Sequence, residues 1–318
     1  GQCNGDDLAV IGFVFIVFHT ISSFGFQAGN GFWLLAVFIL TQFFFKCKPS
    51  LKEYERTLKM TLSQIKKRLE EAGIENAAGE ARMLSERFSP AELPEKVALR
   101  ASHYPLQYIL GEWGFWRETY EVNPSCLVPR SDTETLVEAA VGELPPGARF
   151  LDLCTGSGCV AVSTLASRPD TTAVAVDLFE DTLALATRNA EKNGVLSRVS
   201  FLQADVLKGP PASVCPAAPF DASLSNPPYI RAGEMAALSP EVKSEPSAAL
   251  CGGEDGLDFY RAILSSWLSL LSPRGMIFFE IGWDEAAEVR ALGERVGFFA
   301  EVRKDLSGND RVVCLRRK

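Results

Sequence analysis

The sequence predicts an α/β protein: a Rossmann-like open sheet preceded by a small helical domain. Three observations carry this. From Arg149 onward, short apolar runs alternate with helix-patterned segments, the alternation that builds a mostly parallel sheet. A Gly-x-Gly turn, Gly156-Ser157-Gly158, lies between the first of these runs and a helix. Polar groups then recur at the ends of successive runs, as Asp177, Asp205 and Asn226, where open α/β sheets place their ligands.

Ser225-Asn226-Pro227-Pro228-Tyr229 is the most informative stretch. It follows the buried-strand pattern Phe220–Leu224, and two prolines stop the strand and fix the backbone beyond it. Asn226 offers a side-chain carbonyl, Pro227 a backbone carbonyl, and Tyr229 a flat face. Two acceptors beside a stacking surface suit a planar amino group, either a carboxamide or an adenine amine. Asn-Pro-Pro is also an ordinary turn, so the remaining motifs must decide.

Those motifs form a cofactor half. Arg149–Leu153 reads as a buried strand, Cys154-Thr155-Gly156-Ser157-Gly158 as the turn after it, and Cys159–Val162 as the start of a helix. Glycines here let a ligand approach the backbone. The third glycine of the dinucleotide fingerprint is missing, which disfavours NAD. Asp177 ends the second strand about twenty residues on, placed to hold ribose hydroxyls. The third strand, Val199–Leu202, ends near Asp205 and Val206, with Asp205 placed to accept from an adenine amine. Each acid alone is an ordinary loop or cap residue; the ordered series is specific.

The totals narrow the function. A chain of 318 residues, 47% hydrophobic and 23% charged, has a globular core. Its formal charge of -8 argues against a broadly basic nucleic-acid surface. Eight scattered cysteines include no CxxC, and there are two histidines, so no zinc site, disulfide framework or histidine-based chemistry is expected. Reduced thiols and a cytoplasmic location are the default reading.

Residues 1–59 differ from the rest. Leu8–Phe45 is almost uncharged and broken only by Gln27–Gly31. Read literally, it is a membrane hairpin or a single span, with Lys46, Lys48 and Lys52 keeping the remainder of the chain in the cytoplasm. The preferred expectation is instead a protein beginning at Met60, with a mis-called upstream translation before it. Thr61-Leu62-Ser63-Gln64 supplies a capping box for a helix starting there.

Residues 60–112 read as a small helical domain, either a packing unit alone or, as preferred, a docking surface for a macromolecular substrate. Helices are expected from Leu62, over Asn76–Phe88, from Pro90 and within Tyr104–Leu110. Residues 113–130 read as a β-hairpin turning at Asn123-Pro124-Ser125, and residues 131–318 as the catalytic domain, whose first helix takes Ser131 or Asp132 as N-cap. Later helices are expected over Asp258–Leu271 and Asp284–Val296, a strand over Gly275–Ile281, and a closing antiparallel pair over Phe298–Val302 and Val312–Leu315.

Across about Met60–Arg317 the chain resembles the class I S-adenosylmethionine-dependent methyltransferases, and among them the protein-glutamine methyltransferases of the HemK/PrmC type. Besides the Gly-x-Gly turn and the Asn-Pro-Pro-Tyr stretch, the resemblance rests on Gln107–Gly111, Leu127–Glu134, Glu245-Pro246, Gly252-Gly253, Asp255–Asp258, Glu280–Gly282 and Lys304–Arg311. It implies a seven-stranded class I methyltransferase sheet. It implies S-adenosylmethionine, leaving as S-adenosylhomocysteine, held by Cys154, Thr155, Gly156, Ser157, Gly158, Asp177, Asp205, Val206 and Asn226. Asn226, Pro227, Pro228 and Tyr229 would bind the substrate, with Asn226, Pro227 and Tyr229 catalytic. Cys154 stands where the family often has glycine. The implied substrate is the glutamine of the Gly-Gly-Gln tip of class I peptide chain release factors, with no direct nucleic-acid partner and no metal. Alternatives are an adenine-amino methyltransferase on DNA or RNA, a glutamine methyltransferase acting on a ribosomal protein, or a catalytically silent S-adenosylmethionine-binding or membrane-tethered scaffold.

Overall fold

Thr61 caps the first described helix as its motif predicts. In the computed structural model, which describes residues 60–317, the Thr61 backbone N–H donates to Gln64 Oε1 at 2.8 Å and Gln64 N–H returns a bond to Thr61 Oγ1 at 3.3 Å. The apolar N-terminal run and its membrane reading lie outside the described residues. Among those described, no helix is long and apolar enough to cross a membrane.

Four helices come first: α1 (Leu62–Glu71), α2 (Ala77–Arg87), α3 (Leu93–Ala101) and α4 (Leu106–Leu110). Each presents an apolar stripe to one small core containing Ile65, Leu69, Leu84, Val97 and Leu106. The third helix starts later than Pro90 because Ser89–Glu92 closes as a turn, with Glu92 and Leu93 N–H both donating to the Ser89 carbonyl.

The hairpin differs from expectation. Its strands are β1 (Glu112–Phe115) and β2 (Glu118–Glu121), paired antiparallel with Phe115 opposite Glu118. The chain therefore reverses at Trp116-Arg117, where Trp116 takes φ +57°. Asn123-Pro124-Ser125 instead forms an Asx turn, with Asn123 Oδ1 accepting from Ser125 N at 2.9 Å. Pro124 has no N–H for a ladder, so the side chain dictates the local geometry.

The remaining chain builds a seven-stranded sheet in the order β5-β4-β3-β6-β7-β9-β8. Its elements are α5 (Glu134–Glu143), β3 (Arg149–Leu153), α6 (Cys159–Ser167), β4 (Thr172–Asp177), α7 (Glu180–Lys192), β5 (Val199–Gln203), β6 (Phe220–Ser225), α8 (Pro240–Lys243), α9 (Asp258–Ser266), β7 (Leu271–Glu280), α10 (Ala286–Arg295), β8 (Phe298–Lys304) and β9 (Asp310–Arg317). Only β9 runs against its neighbours. Neither Ser131 nor Asp132 caps α5. Ser131–Thr133 is a 3-10 turn, and no side chain bonds the helix start.

Alternation along the strands loads both faces. Phe150, Ala222, Leu224 and Phe278 enter one core, while Leu151, Leu153, Ile277 and Phe279 enter the other. Strand β3 pairs with β4 on one side and β6 on the other. The strand order reverses there, which opens a crevice at the carboxyl edge. Leu153 stands opposite both Val176 and Ser225, so the next residue on each strand, Cys154, Asp177 and Asn226, leaves the sheet at one level.

Asn189 ties the hairpin to this edge. Fully buried on α7, its Oδ1 accepts from Glu121 N at 2.7 Å, and its Nδ2 donates to the carbonyls of Glu121 and Ser157 at 3.0 and 2.9 Å. Replacement by alanine strands three backbone groups. Asn189→Ala should therefore lower stability by about 2–4 kcal/mol, since each buried group left unpaired costs roughly 1–3 kcal/mol and water recovers part of that. Urea unfolding of the variant beside the wild type measures it.

Candidate active site

The turn after β3 is held from below by a buried carboxyl. Asp152 Oδ2 accepts from Thr155 Oγ1 at 2.5 Å and from Ala161 N at 3.2 Å, clamping the turn to the first part of α6. Burial raises the Asp152 pKa to about 7, against the opposing pull of these two donors. The backbone above is forced into the left-handed region three times, at Cys154 (φ +63°), Gly156 (φ +55°) and Gly158 (φ +80°). A Cβ on Gly158 would lie 3.1 Å from Ala186 Cβ, so this glycine sets the close approach of α6 to α7. Cys154 carries a side chain in a conformation that favours glycine, which explains why glycine suits that position.

Asp177 ends β4 facing this turn. Its Oδ2 accepts from Gly156 N at 3.0 Å and its Oδ1 from Phe179 N at 3.2 Å. Burial raises its pKa, while the backbone N–H groups pull the other way. Each oxygen keeps a lone pair for a further donor. Asp205 begins a 3-10 turn, with Oδ1 accepting from Leu207 N at 3.0 Å and Oδ2 3.2 Å from Lys208 Nζ. Val206 beside it is buried.

Asn226 follows β6 directly. Its Nδ2 donates to Thr133 Oγ1 at 3.1 Å, and its Oδ1 takes no hydrogen bond among the described residues. The Pro227 carbonyl accepts no backbone bond either. Two adjacent acceptors are thus left with free lone pairs. Tyr229 packs its ring against the β7-side core, and burial raises its phenol pKa, with Glu280 adding to the effect and Arg311 opposing it.

The loop beyond is pinned by backbone. Ile230 bridges Cys251, with Ile230 N–H donating to Leu250 O and Gly252 N–H to Ile230 O, both at 2.9 Å. A Cβ on Gly252 would fall 2.7 Å from the Pro228 carbonyl and from Tyr229 Cα, so only glycine fits against the motif. Buried Glu245 accepts from Val128 N at 2.9 Å and pairs with Arg130. This joins the segment before α5 to the loop after β6. Arg100 on α3 bonds Glu80 at 2.5 and 3.1 Å and reaches Glu241 on α8 at 2.7 Å.

These pieces enclose a cavity of about 420 Å³. Its walls include the Cys154–Ser157 turn, Asp177, Asp205, Val206, Asn226 and Pro228. Gly158, Pro227 and Tyr229 are not among the wall residues. Four cysteines face it: Cys126, Cys154, Cys159 and Cys251. Burial pushes the Cys126 thiol up to about 12 and raises those of Cys154 and Cys159 as well.

Thr133, Glu280 and Arg311 fall within the family-like motifs, yet the sequence assigns them no role. Glu280 ends β7, is 1% exposed, and is raised to about 7 by burial. The hydroxyls of Thr133 and Tyr229 and the Arg311 charge pull it the other way, while Asp132 adds to the rise. Arg311 donates to Asp305 Oδ2 and the Ile281 carbonyl, each at 3.1 Å, and lies 3.4 Å from Asp132. The one signal in the sequence is a carboxylate that follows the apolar run Met276–Phe279 at the end of a strand.

The sheet order and the crevice are those of a class I methyltransferase, and a Methyltransferase small domain model matches residues 132–242. The hMettl16 catalytic domain, solved with a MAT2A 3′UTR hairpin, shares the fold at TM-score 0.50 and 17% identity, covering 70% of this chain and 82% of its own. A release-factor-specific protein-(glutamine-N5) methyltransferase from Alicyclobacillus acidocaldarius is 32% identical, covering 63% of this chain and 99% of its own at TM-score 0.37. The Release factor glutamine methyltransferase of Cereibacter sphaeroides is 42% identical over 270 residues, 78% of this chain and 94% of that protein. That of Rhodospirillum rubrum is 38% identical over 273 residues, 79% and 82% respectively. The chain belongs to the release factor glutamine methyltransferase family.

Asp152 makes a pH prediction. In the folded chain it keeps a proton to about pH 7, whereas unfolded it releases that proton near pH 4. The native state binds the extra proton in this window, so stability falls as pH rises through it. Asp152→Asn should reduce that slope by up to about 1.4 kcal/mol per pH unit, as read from urea midpoints between pH 4.5 and 7.5.

Proposed function

We propose that this protein methylates the side-chain amide nitrogen of the glutamine in the Gly-Gly-Gln motif of class I peptide chain release factors, in the cytoplasm. The observation that carries the reading is the Asn226 carboxamide. Its nitrogen is committed to Thr133, its oxygen is free, and the carbonyl of the next residue, Pro227, accepts no backbone bond. A primary amide has two N–H donors on one nitrogen, and two adjacent acceptors match them.

The crevice residues fit S-adenosylmethionine. A cavity of about 420 Å³ falls within the roughly 300–1,000 Å³ of small-molecule sites. The two Asp177 oxygens, with lone pairs to spare, suit the ribose hydroxyls. Asp205 suits the adenine amine, Val206 the flat ring, and the Cys154–Gly158 turn the remainder. Bound there, the cofactor supplies a methyl group made electrophilic by its sulfonium.

The protein's task is alignment. An amide nitrogen is a weak nucleophile because its lone pair is shared with the carbonyl. Asn226 Oδ1 and the Pro227 carbonyl take its two hydrogens, fixing the nitrogen in place and favouring its pyramidal form. Tyr229 supports the backbone of the motif from beneath. Positioning of this kind supplies up to about 7–11 kcal/mol in favourable cases. Residues 60–112 serve as the docking domain for the protein substrate, residues 113–130 as the link, and residues 131–318 as the catalytic domain.

The deciding test is transfer of labelled methyl from S-adenosylmethionine to a purified class I release factor, with a Gly-Gly-Ala variant, a ribosomal protein and DNA as controls. Label on the release factor alone, absent from its alanine variant, is the expected result. Asn226→Ala should lower turnover about a hundredfold or more, equivalent to roughly 3 kcal/mol of barrier, with melting temperature unchanged. Asp177→Ala should instead weaken S-adenosylmethionine binding about tenfold or more by calorimetry, roughly 1.4 kcal/mol, before turnover at saturation suffers.

A further inference from the structure

We propose that Thr133 and Glu280 are positioning residues that decide which face of the Asn226 carboxamide meets the substrate. The inference rests on the release-factor reading and extends it to residues that do not themselves touch the reacting amide.

A carboxamide is nearly symmetric in shape, and turning it over exchanges an acceptor for a donor. Only one orientation of Asn226 is useful to an incoming amide N–H. With Oδ1 toward the crevice it accepts; with Nδ2 there it presents a donor to a donor. The protein must therefore choose, and the partner that chooses is Thr133, whose Oγ1 takes the Nδ2 hydrogen at 3.1 Å. A hydroxyl can also donate, so Thr133 selects the orientation only if its own proton is engaged elsewhere.

Glu280 supplies that engagement. Thr133 is 2% exposed and Glu280 1%. The Thr133 hydroxyl lies close enough to stabilise the ionised form of Glu280, and Oε2 of that carboxylate is buried with no partner at full hydrogen-bonding geometry. Besides the bond it accepts from Asn226, the Thr133 hydroxyl has one side-chain partner among the described residues, the Glu280 carboxylate. A buried carboxylate thus sits beside the one donor proton that Thr133 has to give. Their pairing fixes the order: Asn226 donates to Thr133, Thr133 donates to Glu280, and Asn226 Oδ1 is left for the substrate.

The chain of donors depends on charge. An ionised Glu280 only accepts. A protonated Glu280 donates to Thr133, which frees the Thr133 proton for Asn226 Oδ1 and turns the carboxamide over. The groups that face Glu280 set where this occurs. Arg311 on β9 and the Tyr229 hydroxyl favour ionisation, and Asp132 before α5 opposes it. Cys159 on α6 and Tyr260 on α9 are also near, the latter donating to the Glu280 backbone carbonyl at 2.9 Å. Burial outweighs the favourable groups and brings the transition to about pH 7.

The experiment measures release-factor methylation by wild type, Thr133→Val, Thr133→Ser and Glu280→Gln from pH 5.5 to 9, with cofactor affinity by calorimetry and melting temperatures for each. Thr133→Val keeps the shape and removes the acceptor. Its kcat should fall ten- to a hundredfold with S-adenosylmethionine affinity within threefold of wild type. Thr133→Ser should restore kcat to within threefold. Wild-type kcat should rise with pH through about 7, and that limb should vanish in Glu280→Gln. Thr133→Val retaining more than half of wild-type kcat, or a serine variant as impaired as the valine one, overturns the relay while leaving the release-factor reading intact. A Glu280→Gln enzyme that folds and keeps the acid limb overturns it too. If that variant does not fold, the valine and serine pair decides. Wild type that labels no release factor refutes the reading itself, and the relay falls with it.

Discussion

Everything at the carboxyl edge depends on one buried carboxyl. Asp152 takes the Thr155 hydroxyl and the Ala161 N–H on a single oxygen. With that clamp the chain passes through three left-handed residues in five and still enters α6. Such backbone costs free energy and persists only where the surroundings over-determine it. The same turn gives its Gly156 N–H to Asp177 and its Ser157 carbonyl to Asn189. The neighbouring strand and the hairpin are thereby set in register with it.

A second set of restraints holds the opposite wall. The loop after Tyr229 has no long helix or strand of its own, yet it is fixed by the Ile230–Cys251 bridge, the Gly252 contact and the Arg130–Glu245 pair. Glu245 is almost wholly buried, and burial raises its pKa while Arg130 and the Val128 N–H oppose the rise. Losing either partner of such a pair is costly because a charge stays behind uncompensated. The first core and the loop after β6 communicate through one guanidinium, Arg100, which carries Glu80 on its own side and Glu241 on the other.

Most of the sheet was legible because strand and helix periods differ and because polar residues recur at the strand ends. Position alone places Asp177 and Asn226 at strand ends, and the register of Leu153 with Val176 and Ser225 brings them to one level of the sheet edge. The hairpin was misread because Asn-Pro-Ser has turn chemistry wherever it falls, whereas Trp116-Arg117 has none. A tryptophan at φ +57° is held by its surroundings, with its N–H bonded to Glu134 at 2.7 Å and its ring nitrogen to Ser167 at 3.0 Å. No local pattern encodes those partners. Thr133 and Glu280 escaped notice for a similar reason: they lie far apart in the chain, and while β7 pairing beside β6 brings Glu280 level with Asn226, it is the 3-10 turn Ser131–Thr133 that brings Thr133 to it.

The sulfur lining of the crevice has a consequence for chemical self-compatibility. A sulfonium methyl donor is an alkylating agent, and sulfur anions are the side chains most easily alkylated. Burial raises the pKa of three of the four cysteines facing the cavity and favours their neutral thiols, with Cys126 up to about 12. At neutral pH a thiol of that acidity is ionised in only about one molecule in a hundred thousand. The same desolvation that makes these side chains good wall material silences them as competing nucleophiles, which suits the chamber to the donor proposed for it.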